Sequence, residues 1–140
     1  MIPTIQKKFT RKIYHPPPAA AIATKDYESQ LSPEERYRRH YAMWDFWQAE
    51  LMEGLSGNTK RAIRAAEEGL GELQAMQSLL VPDKREPLGV LIARWTLLRD
   101  QLVQGTMSDT ACYRWRSELE SQKRTLHHDF AWQRVQESVQ

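Results

Sequence analysis

The chain is poor in the residues and motifs that announce chemistry. It has one cysteine, Cys112, so it can form neither an intrachain disulfide framework nor a thiolate metal site. No apolar run approaches the roughly 20 residues that a membrane span requires. The N-terminus is basic and poor in acids, as organelle transit peptides are, but it lacks the apolar segment of a secretory signal. A cytoplasmic protein is expected. The net charge of +2 is too small to gather a polyanion by bulk electrostatics. There is no H-E-x-x-H, no paired Glu-x-x-His, no glycine-rich phosphate loop and no nucleophile elbow. His127, His128 and Asp129 are consecutive, so on a helix they fan out by about 100° each and cannot all ligate one metal. Cys112 reads as a small buried residue on a helix seam rather than a nucleophile. His15 and His40 read as surface residues. These absences set the expectation of a non-enzymatic protein with no cofactor, metal or small-molecule substrate.

What the chain does have is amphipathic helix and a concentration of aromatics. Its 140 residues suffice for one domain with a core, and 41% hydrophobic with 27% charged residues suits a small helical protein. Residues 1–30 read as an extended N-terminal arm. Within it, Phe9, Arg11 and Ile13 alternate with Thr10, Lys12 and Tyr14 as in a strand, while Ile5, Phe9 and Ile13 recur four apart as on a helix. His15-Pro16-Pro17-Pro18 ends either element and favours polyproline II.

Residues 31–140 read as an all-α, antiparallel four-helix bundle of two helical hairpins, with helices over about 32–54, 58–80, 84–104 and 108–137. The first has a strong start: Ser32 as cap, Pro33 at the first helical position and Glu35 to close a capping box. Tyr37, Tyr41, Trp44, Gln48, Leu51 and Leu55 form its seam; Met43 and Trp47 widen it to one side, and Phe46 falls off it. Asn58 caps the second helix, whose seam is Ile63, Ala66, Leu70, Leu73, Gln77 and Leu80. Gly69 lies on a flank with Ala62, Ala65 and Ala66. Glycine in a helix costs about 1 kcal/mol against alanine, so Gly69 implies a bulky neighbour, with the indoles of the first helix as the natural candidates. The third helix starts within Asp83–Pro87, buries Leu88, Leu91, Trp95, Leu98 and Leu102, and stops at Gly105. Ser108 or Asp109 caps the fourth, whose far end is expected to overrun the bundle, fray or meet another chain.

Two surfaces stand out as candidates. Aromatics beyond a single core stripe suit a protein interface, which points to Phe46 and Trp47, with Phe9, Ile13 and Tyr14 of the arm. Basic residues interleaved with aromatics suit phosphate and bases: Lys7, Lys8, Arg11 and Lys12 of the arm, Arg36, Arg38 and Arg39 of the first helix, and Lys60, Arg61 and Arg64 of the second. No helix-turn-helix or RNA-binding signature supports that second surface. The expected function is a small helical subunit of a protein or nucleoprotein assembly, docking through the arm and the aromatic helix face. The alternatives are a nucleic-acid-binding accessory factor and a self-assembling bundle.

Overall fold

Local capping chemistry places the long helices. In a computed structural model, which describes residues 30–105 and 107–139, all regular structure is helical: α1 Pro33–Gly54, α2 Thr59–Ser78, α3 Pro82–Gln104, α4 Asp109–Asp129 and α5 Trp132–Val135, then a 3-10 turn Gln136–Ser138. Residues 1–29, and with them Phe9, Ile13, Tyr14, Lys7, Lys8, Arg11 and Lys12, lie outside the described residues. Ser32 Oγ accepts from Glu35 N at 3.1 Å and Glu35 Oε1 from Ser32 N at 2.9 Å, the full capping box. These bonds hold the Glu35 carboxyl below its usual range. Asn58 and Ser108 cap α2 and α4 by accepting from Arg61 N and Ala111 N. Gly105 closes α3 in the left-handed region at φ 71°, where a side chain would be strained.

The helices enclose one core. From α1 it takes Tyr37, Trp44, Leu51 and Leu55, the expected seam, with Tyr41 half-buried beside them. Gln48 shares that seam at 2% exposure and is tolerated because its amide donates to Leu119 O of α4. Burial, and next the Asp45 charge, push the Tyr41 hydroxyl up to about 12. Trp44 and Trp95 meet at 5.8 Å between ring centroids. α1 and α2 approach closely because Gly54 lies against the backbone of Ala62.

Four expectations need correcting. The buried face of α2 is its small-residue flank, Ala62, Ala65, Ala66 and Gly69, continuing through Leu70, Leu73 and Met76, while Ile63 and Gln77 are only half-buried. The bulky group over Gly69 is Trp95 of α3, not an indole of α1; Trp47 reaches Gly69 only with its Cβ. α3 begins earlier than expected, with Pro82 at its first position and no side-chain cap, so Pro87 sits past the first turn.

The fourth correction concerns α4. It stops at Asp129 rather than about residue 137, and the chain turns back over the core, burying Phe130 and Val135. The stop is made by tertiary contacts. Tyr37 Oη donates to Phe130 O at 2.6 Å, occupying a carbonyl at the helix end, and Trp132 packs 6.0 Å from the Tyr37 ring. Beyond α5, Val139 pairs with Leu80 in a single antiparallel bridge, and Val81 N donates to Ser138 O at 2.7 Å. Tyr37→Phe strips Phe130 O of a buried donor and is expected to cost about 1–2 kcal/mol. A urea midpoint lowered at unchanged slope would show it.

Candidate partner-binding surface

Helical spacing puts a second face on α1. Rotated away from the Tyr37–Trp44–Leu51 seam lie Met43, Phe46 and Trp47. Phe46 is 51% exposed and Met43 38%, while Trp47 is half-buried. The two rings meet edge-on, 4.9 Å apart at 77°, so Trp47 braces Phe46 from the side. From α2, the Arg64 guanidinium lies 5.5 Å from the centroid of the Trp47 ring. The Trp47 Nε1–H is buried without an acceptor.

One turn further along α1, Glu50 takes two hydrogen bonds from Arg61, at 3.0 and 2.8 Å, tying the rim of the patch to α2. Those bonds hold the Glu50 carboxyl below its usual range and raise the Arg61 guanidinium. His40 Nδ1 lies 2.6 Å from Glu72 Oε1, a second link between the helices. On the other side of α1, His127 of α4 stacks on Tyr41 at 5.6 Å and its Nε2 lies 2.8 Å from Asp45 Oδ1. The pair His127-His128 therefore divides: His127 joins α4 to α1, and His128 bonds its neighbour Asp129.

The basic residues expected to meet phosphate are distributed unevenly. Arg38 pairs with Glu34 at 3.0 Å and lies 5.9 Å from the Trp132 ring, and Arg61 is held by Glu50. Arg39 and Lys60 are exposed and Arg36 half-buried. Arg64, one of the residues expected to meet phosphate, stands over Trp47, so one residue from each expected surface meets in a single patch. Its pairing with Trp47 is not legible in the sequence, because two residues on different helices carry no shared periodicity. Cys112 is half-buried against the core. Among the described residues no three His, Cys, Asp or Glu side chains converge to hold a metal ion, and no helix is long and apolar enough to cross a membrane.

No protein-family model, curated protein or solved structure matches the chain. The reading of its surface therefore rests on its own residues. An exposed ring pre-set against a second aromatic, with an arginine alongside, is the composition of a protein-binding hot spot.

Proposed function

We propose that this protein is a non-enzymatic helical subunit of a larger cytoplasmic protein assembly, docking a partner protein through Met43, Phe46, Trp47 and Arg64. The N-terminal arm, with Phe9, Ile13 and Tyr14, is the second contact. The observation that carries the reading is Phe46, half exposed yet fixed edge-on by Trp47. The partner it fits has an apolar pocket for the phenyl ring and a carboxylate facing Arg64. The scaffold belongs to the same proposal: two antiparallel hairpins forming a four-helix bundle. The pairs Gln101–Trp115 and Arg94–Glu118 support it, because residue numbers rise along α3 as they fall along α4.

The test is affinity capture from the native source, with captured proteins identified by mass spectrometry. Phe46→Ala is expected to lower recovery of the specific partner by about tenfold or more, the loss typical of a hot spot, with helicity unchanged by circular dichroism. A partner set identical for wild type and variant would reject the proposal. Salt-sensitive capture of RNA or DNA, unaffected by Phe46→Ala, would move the function to the basic residues Arg36, Arg38, Arg39 and Lys60.

A further inference from the structure

α3 and α4 are joined mainly by the tips of long side chains, and between them runs a groove. Arg94 donates twice to Glu118 at 2.7 and 2.6 Å, Trp95 Nε1 donates to Gln122 at 2.9 Å, and Trp115 Nε1 donates to Gln101 at 2.8 Å. Arg94 and Glu118 border two depressions of different character. The first, of about 270 Å³, has mostly apolar walls, with Val90, Leu91, Leu126 and Phe130 among them. The second, of about 390 Å³, is lined by Leu97 and Trp115 and also by Arg114. Val90, 64% exposed, stands on the lip of the first, and Leu97, 41% exposed, on the lip of the second. They are two turns apart on one side of α3, so the two levels are separated by about 10 Å.

The charges in this groove do not balance. Among the described residues Glu118 is the one carboxylate lining either depression, and its oxygens are engaged: both accept from Arg94, and Oε2 also from Gln122 at 2.7 Å. The bonds from Arg94 hold its carboxyl below the usual range, so this pair is neutral as a unit. Arg114 is exposed and has no hydrogen-bond or ion-pair partner among the described residues. An apolar depression is thus followed, about 10 Å along the groove, by one uncompensated cation.

We infer that the groove binds one amphipathic carboxylate, a medium-chain fatty acid, with its alkyl chain in the first depression and its carboxylate on Arg114. Arg94 faces Glu118 and residue numbers run oppositely along the two helices, so Arg114 stands level with Leu97 and Leu98. An alkyl chain lying past Val90, Arg94 and Leu97 therefore ends at Arg114, covering both exposed apolar residues of the lip. The guanidinium offers the carboxylate two parallel hydrogen bonds, the strongest geometry for that pair. The same groove suits a helix of another protein poorly. A helix about 10 Å across needs an unbroken trough, and the Arg94–Glu118 pair stands across this one.

Isothermal titration calorimetry of the full chain with sodium decanoate, kept below its micelle concentration, tests this. One molecule is expected to bind per chain. The indole N–H signal of Trp115 should shift with the same saturation in a proton–nitrogen correlation spectrum, while that of Trp47, on another face, stays in place. Decanol has the chain without the charge and is expected to bind at least about tenfold more weakly; Arg114→Gln and Val90→Glu should each lower decanoate affinity about tenfold. Both side chains are solvent-exposed, so circular dichroism should be unchanged. Absence of saturable binding at millimolar decanoate overturns the inference, and so does uptake of many molecules per chain, which is adsorption of a surfactant. Equal affinity for decanol, or indifference to Arg114→Gln, overturns the place of the carboxylate, and indifference to Val90→Glu overturns that of the alkyl chain. Phe46→Ala should bind decanoate as wild type does, which keeps this result separate from that of partner docking.

Discussion

Trp95→Ala is expected to destabilise the protein by about 3–5 kcal/mol, the range for removing a fully buried indole. Trp95 has no solvent exposure and touches three helices besides its own. Its ring faces Trp44 of α1, its edge lies over Gly69 of α2, and its Nε1–H is bonded to Gln122 of α4. Truncation opens a cavity where these elements meet and strips Gln122 of a donor. Small domains are held by about 5–15 kcal/mol in all, so the variant should unfold at a much lower denaturant midpoint. Trp95→Phe keeps an aromatic ring but loses the hydrogen bond and part of the buried indole, so it should fall between the two. A Trp95→Ala midpoint close to wild type would mean that the indole is not the centre of this core.

The second large effect carries an internal control. Gly69→Ala puts a Cβ 2.4 Å from Cζ3 and 2.9 Å from Cη2 of Trp95, and 3.3 Å from Trp47 Cβ. The indole cannot swing aside without giving up its bond to Gln122. Overpacking of this kind costs about 1–3 kcal/mol, so a net loss of about 1 kcal/mol is expected after alanine's helix advantage of about 1 kcal/mol. Two residues on, Gly71 has nothing within 4 Å of the same added carbon. Gly71→Ala should therefore stabilise the protein by about 0.5–1 kcal/mol. Opposite signs in one helix separate packing from propensity. In the Trp95→Ala background the penalty at Gly69 should vanish, a coupling that a double-mutant cycle reads directly. Equal effects at both glycines would show that Trp95 does not press on α2.

The same pair of residues marks what a sequence can and cannot disclose. A glycine on a small-residue flank signals a bulky neighbour, and that inference was sound. Which helix supplies the neighbour is a matter of three-dimensional arrangement, and chain proximity pointed to α1 when the ring belongs to α3. The Ser32, Asn58 and Ser108 caps were legible because capping is local chemistry between residues two or three apart. The end of α4 was not, because no glycine or proline stands at Asp129–Ala131; the break comes with a contact from Tyr37, distant along the chain. In the candidate surface, Phe46 was legible as a residue off the α1 seam by angular position alone. Arg64 over Trp47 required the alignment of two helices, which periodicity within either one does not contain.

The contact between Tyr37 and Phe130 spans 93 residues. As the polypeptide leaves the ribosome, α1 emerges with Tyr37 and Tyr41 uncovered, and neither can be covered until the end of α4 has followed. The segment after α4, through Val139, also seals the corner between α2 and α3. Until then the nascent chain presents Tyr37 and Tyr41 without their contacts from α4 and the segment after it. That interval is when a chaperone would find it most readily, and when crowding of nascent chains would do most harm.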